Sequence, residues 1–162
     1  MRKAQATNRE IGLASLLLIL LALYLYINGV NSPIKSSFKE KCALPANLSC
    51  SSLILRSNGK LDFALAQNTG VLINVTSFVC TKNSDIPSFM PSLNNSVLIT
   101  SGEKAYLSGG NSGNEVFCTG RNGISVPNAS SGDVYDANLY LTYNLKNGEP
   151  RFAKGTILVK YS

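Results

Sequence analysis

Apolar and polar positions follow two different periods along this chain. No charged residue occurs from Ile11 to Ile34, and Ile11 to Ile27 is almost wholly Leu, Ile, Ala and Tyr. About 20 apolar residues, rising roughly 1.5 Å each in a helix, cross about 30 Å of hydrocarbon. The pattern therefore predicts a hydrophobic membrane-spanning helix over 11–30, after a short tail over 1–10. Polar residues with Pro33, Ser36 and Ser37 then mark a linker over 31–49. From Cys50 onward the pattern alternates, and 50–162 reads as a β-domain.

Within that domain Leu53–Arg56 and Leu61–Leu65 flank Asn58-Gly59, a pair that tolerates positive φ and so predicts a hairpin. Val71–Cys80 predicts a strand whose Val71, Ile73, Val75 and Val79 share one face, with Asn74 and Thr76 on the other. Val97–Thr100, Lys104–Leu107 and Glu115–Cys118 are short strands between Gly- and Ser-rich turns, and Thr119–Gly132 is a long surface loop. Ala137–Leu145 and Arg151–Tyr161 flank a second Asn-Gly pair. About seven or eight strands over roughly 110 residues imply an all-β, two-sheet, immunoglobulin-like sandwich. The chain has no Trp, so the Cys-Trp-Cys signature of antibody domains is absent.

The loop over 81–96 carries Ile86, Phe89, Met90 and Leu93 among Pro and Ser. Exposed, these side chains would form an adhesive or subunit-contact patch. The preferred expectation is that they tuck in and close one end of the sandwich.

Charge and cysteine usage add topology. Arg2, Lys3 and Arg9 precede the apolar run, so the positive-inside rule places the tail in the cytoplasm, and Tyr24 and Tyr26 read as an interfacial belt. Asn28-Gly29-Val30 makes a poor signal-peptidase site. Cys42, Cys50, Cys80 and Cys118 all follow the run, and the absence of any C-x-x-C favours disulfides over zinc. Of three connectivities, Cys42 with Cys50 and Cys80 with Cys118 is favoured. Sequons at Asn47, Asn74, Asn94 and Asn128 are candidate N-glycosylation sites, although a chain rich in Asn and Ser generates some by chance. The expected location is the cell membrane with an extracellular domain, or an extracellular filament.

Twelve basic and eight acidic side chains fall beyond residue 30. They are scattered, which argues against a nucleic-acid groove. The chain contains no histidine, which removes Ser-His and Cys-His pairs and the usual catalytic zinc sites. Ser36–Lys39 and Ser101–Lys104 match Ser-x-x-Lys, but in a linker and a turn rather than a helix. Asp133 and Asp136 are the only close acidic pair beyond the apolar run, and they read as a strand opening. No catalytic residue, metal or cofactor is expected.

Lys3-Ala4-Gln5-Ala6-Thr7-Asn8-Arg9-Glu10, followed at once by the apolar run, resembles the class III signal of archaeal type IV pilin-like proteins. The closing Leu-Tyr-Leu-Thr-Tyr and Gly-Thr-Ile-Leu-Val-Lys strands are also similar to small archaeal pilin-like surface proteins. The resemblance implies processing between Ala4 and Gln5 by a prepilin peptidase, a helix retained as filament core, an assembly motor, and copies of the chain as partners. It also implies that Glu10 pairs with a neighbour's new N-terminus. Read without it, Thr7 and Glu10 form a helix capping box.

Two functions follow as expectations. The first is a structural subunit of an archaeal type IV pilus-like filament. The alternative is a single-pass surface protein anchored in membrane lipid, whose sandwich serves binding or adhesion. An extracellular hydrolase is disfavoured, because without histidine it would need a carboxylate pair.

Overall fold

The computed structural model describes residues 8–30, 38–146 and 148–162; within the helix it describes the side chains at 12, 13 and 15–26. Two compact units divide the chain, Met1–Phe38 and Lys39–Ser162.

The first unit contains α1, Asn8–Val30. Its described apolar side chains are exposed on every side rather than along one stripe. The Ser15 hydroxyl donates back to the Gly12 carbonyl at 2.9 Å. Among the described residues no helix is long and apolar enough to cross a membrane.

That finding overturns several expectations together. The single-pass anchor with a cytoplasmic tail is corrected. So is the resemblance to archaeal type IV pilins, which required a hydrophobic helix able to wait in a membrane and then build a filament core. The archaeal assignment rested on that resemblance and falls with it. Ala4, Gln5 and Thr7, and the side chain of Glu10, lie outside what the structure describes.

The second unit is a β-sandwich. Its strands are β1 Lys41–Ala43, β2 Leu48–Leu55, β3 Lys60–Gln67, β4 Ile73–Thr81, β5 Ser92–Ile99, β6 Lys104–Ser108, β7 Val116–Phe117, β8 Val134–Leu145 and β9 Pro150–Lys160. One sheet runs β1-β9-β8-β4-β5; the other runs β2-β3-β6, with β7 also paired to β3. This order, with β1 antiparallel to β9, replaces the immunoglobulin-like arrangement expected. The two β-rich sheets stand; the helix-anchored fold class does not.

Alternation builds the sheets. In β8, Tyr135, Ala137, Leu139 and Leu141 are buried at every second position, and β9 answers with Ala153, Ile157 and Val159. Their ladder is unbroken from Val134↔Lys160 to Asn144↔Pro150. Phe63 of β3 stacks on Phe78 of β4 with ring centroids 4.8 Å apart, joining the two sheets through one apolar core. Burying a side chain of this size is worth roughly 1.5–3 kcal/mol.

The β2–β3 hairpin turns where the Asn-Gly pair predicts. Gly59 has φ +80°, and a Cβ there would fall 2.2 Å from Val126 Cγ1, so the turn requires glycine twice over. β4 departs from the expected period. A bulge between Val75 and Ser77 shifts its register against both β5 and β8. Ile73 and Val75 therefore face the core, but beyond the bulge Phe78 and Cys80 do, and Val79 turns to the outer face.

Both favoured disulfides form, Cys42–Cys50 and Cys80–Cys118. On the loop-entropy account they contribute roughly 2.5 and 4 kcal/mol. The compact unit beginning at Lys39 takes in the first of them.

Candidate functional site

The feature most open to a ligand grows from the far end of β4. β8 pairs with β4 all the way to Thr81, whereas β5 reaches only as far as Ser77. Past the bulge one edge of β4 has lost its strand neighbour, and the chain leaves as the 82–91 loop.

Local hydrogen bonds fix how that loop departs. The Thr81 hydroxyl accepts from the Asn83 amide at 3.1 Å, and Asn83 Oδ1 accepts from the Asp85 amide at 3.0 Å, two consecutive turns of the kind these side chains favour. Asn138 Nδ2 donates to the Asn83 carbonyl at 3.0 Å, and the Tyr140 hydroxyl donates to that of Ser84 at 3.2 Å. The loop is thus strapped to the outer face of β8. Pro87 and Pro91 stiffen its remaining length.

The result corrects the expectation that this loop plugs the sandwich. Ile86 is 60 % exposed and Phe89 is 77 % exposed. Met90 is half-buried, and only Leu93 packs against the core. The physical reason is the tether: bonds from Asn138 and Tyr140 to the Asn83 and Ser84 carbonyls hold the loop to the outer face of β8.

The opposite wall is the stretch from Asn114 to Gly123. Gly109, with φ +70° and a Cβ position only 2.1 Å from Asp62 Oδ1, lets the chain swing out after β6 and return as β7. Asn114, 3 % exposed, then clamps β5 reciprocally. Its Oδ1 accepts from the Asn95 amide at 2.8 Å, and its Nδ2 donates to the Asn95 carbonyl at 2.8 Å. Phe117 remains part-exposed, and Glu115 is paired with Lys60.

The floor is held by covalent and polar links. Cys80–Cys118 ties β4 to the end of β7. The Thr119 amide donates to the Cys80 carbonyl at 2.9 Å, and the Thr119 carbonyl accepts from the Lys82 amide at 3.0 Å and from the Tyr135 hydroxyl at 2.6 Å. Burial, and secondarily the neighbouring Tyr161, pushes the Tyr135 phenol above its usual range, so it remains a protonated donor. Lys82 Nζ lies 4.9 Å from the centre of its ring.

Between these walls lies an open groove of about 700 Å³, within the range of small-ligand and peptide sites. Its apolar anchors are Ile86, Phe89, Val116 and Phe117; its polar lining includes Asn83, Asn94, Asn114 and Asn122. Asp85 and Glu115 supply acid, and no Lys or Arg lines it. Among the described residues, no group of three or more His, Cys, Asp or Glu could hold a metal ion.

The chain matches no protein-family model and no curated protein.

The other sequence candidates disperse. Of the four sequons, only Asn94 lines the groove. Asn47 sits exposed in a turn at φ 77°, Asn128 is exposed in the 119–132 segment, and Asn74 is half-buried at the second position of β4. Asp133 closes a turn by accepting from the Ser130 amide, and Asp136 faces outward from β8; neither lines the groove. The Ser101 hydroxyl accepts from the Gly70 amide, and Ser36 is outside the described residues. Sequence reasoning missed the second wall, Asn114 to Phe117. Its one signal was an aromatic in a strand too short to bury it.

Proposed function

We propose that the sandwich is an extracellular, non-catalytic binding module whose groove takes a segment of a partner polypeptide bearing an apolar side chain beside a basic one. One observation carries the reading: Phe89 and Ile86 stand exposed over a walled trough instead of joining the core beneath. Exposed apolar groups clustered in this way mark interaction sites. The disulfides fit an oxidising compartment.

Charge and shape narrow the partner. Glu115 is already paired with Lys60, but Asp85 adds a carboxylate and no Lys or Arg lines the groove, which disfavours an anionic ligand and favours a cationic group at the rim beside Asp85. The open trough suits an extended backbone, to which the Asn94 carboxamide can both donate and accept; those of Asn114 and Asn122 are already held within the fold. The absence of histidine from the chain, and the engagement of Thr81 and Thr119 in structural bonds, support binding over catalysis.

Selection of displayed random heptapeptides on the immobilised full chain tests this. Wild type should enrich sequences pairing an aromatic or aliphatic residue with Lys or Arg, and Phe89→Ser should lose that enrichment. Enrichment equal on both proteins, or confined to acidic peptides, overturns the reading. A groove filled by a second copy instead would show as concentration-dependent dimers that Phe89→Ser dissolves.

A further inference from the structure

Resting on that reading of the groove, we infer that Asn94 is an acceptor for N-linked glycan and that its occupancy closes the site. The four sequons are alike in sequence, and the fold makes them unlike. Asn74 pairs with Leu98 on one side and Asn144 on the other, and its Oδ1 is buried. A glycan there would first have to uncover that buried carboxamide. Asn47 and Asn128 are exposed but lie outside the groove.

Asn94 combines access with position. β5 pairs with β4 at Val97–Ile99 and again at Ser92, and the register shift between them leaves 93–96 without partners on β4. Both Asn114 bonds grip the middle residue of the sequon, Asn95, through its backbone. Asn94 and Ser96 therefore fall on the same side of an extended segment, both exposed. Among the described residues no side-chain hydrogen bond engages the Asn94 carboxamide or the Ser96 hydroxyl. Asn94 is exposed and is one of the residues lining the groove, so a sugar attached to it stands at the groove's edge, where the partner segment must enter.

The transfer needs a polyprenyl-diphosphate-linked oligosaccharide as donor. Asn94 Nδ2 forms a bond to the sugar's anomeric carbon, the bond from that carbon to the diphosphate oxygen breaks, the diphosphate leaves with the electron pair, and one amide proton passes to the transferase's base. No oxidant or reductant is consumed.

The test uses the full chain secreted from a host that N-glycosylates, with glycopeptide mass spectrometry for occupancy. The neutral dye N-phenyl-1-naphthylamine probes the groove, and the signal is the part lost in Phe89→Ser, which discounts dye on α1. Asn94 should be occupied, and Asn94→Gln and Ser96→Ala should each raise the Phe89-dependent affinity about tenfold, whereas Asn128→Gln should leave it unchanged. An unoccupied Asn94, or an occupied Asn94 with affinity equal to that of Asn94→Gln, overturns the inference. Loss of the Phe89-dependent signal in unglycosylated Asn94→Gln instead overturns the binding reading, and the gate with it, whatever the occupancy.

Discussion

The β8–β9 hairpin and the β4–β5 connection are built from similar apolar alphabets and end in opposite states. The hairpin keeps one continuous register over its whole length, and its inward residues are sealed. The connection shifts register, loses its partner strand at Ser77 and carries Ile86 and Phe89 into solvent. What separates them is where the main chain finds hydrogen-bond partners. Where the ladder is unbroken, period two decides burial. Where the chain leaves the ladder, burial depends on what tethers it, here Asn138 and Tyr140 on the outer face of β8.

The largest effect is expected where the two regions are tied together. Cys80–Cys118 joins the end of β4 to the groove's far wall across 38 positions. Replacing both cysteines with alanine should lower unfolding free energy by about 4 kcal/mol, read from chemical denaturation with midpoint and slope both fitted, since an unfolded chain freed of the link exposes more surface. A loss near zero would mean that the polar links around Thr119 hold the walls unaided.

Next comes the hairpin. Leu139 is fully buried, and Leu139→Ala should cost about 3 kcal/mol, from lost transfer energy and the cavity left behind. A cost under about 1 kcal/mol would show that the neighbouring strands collapse into the space, and the contrast with the connection would fail.

How much was legible obeys the same division. The two Asn-Gly hairpins and the alternation of β8 and β9 are local and could be read directly; the cysteine pairing, with Cys80 and Cys118 lying 38 positions apart, could only be favoured among three connectivities. The bulge at Val75–Ser77 could not be read, because no residue type there announces it; it moved Phe78 into the core and Val79 out of it. The exposure of Phe89 was likewise invisible, since the 82–91 loop is held to the outer face of β8 by Asn138 and Tyr140, which lie 55 and 56 positions from their partners Asn83 and Ser84. The apolar run misled differently. Its charge-free length and composition led to the expectation of a span, whereas among the described residues no helix is long and apolar enough to cross a membrane. Of the groove, the sequence offered one wall's apolar residues and the Asn94 sequon, and nothing that placed Asn114 opposite them.

Tyr135 links the core to the groove floor through a single bond to the Thr119 carbonyl. Tyr135→Phe should cost about 1 kcal/mol, because that carbonyl keeps its second donor, the Lys82 amide. The same residue makes stability pH-dependent. Its folded pKa is raised, so the fold holds the proton more tightly than the unfolded chain does. The stability this contributes is complete below the unfolded value near about 10 and is lost as pH rises through the folded one. Wild type should therefore weaken above about pH 10, and Tyr135→Phe should weaken less steeply, as measured by chemical denaturation across that range. Equal slopes would assign the alkaline loss to other groups.

The smallest stability effect should come from the most conspicuous residue. Phe89 holds a ring out of the core, so Phe89→Ser removes little buried area and should leave unfolding free energy within about 0.5 kcal/mol of wild type. The same change in the hairpin, at a sealed position such as Leu139, would be ruinous. A ring that contributes almost nothing to the fold is an exposed apolar group with no structural reason to remain, and the binding reading supplies one. If Phe89→Ser instead costs about 2 kcal/mol or more, roughly what burying a whole side chain is worth, then the ring folds inward in solution. The connection would in that case be a plug after all, and the contrast with the hairpin would reduce to one of register alone.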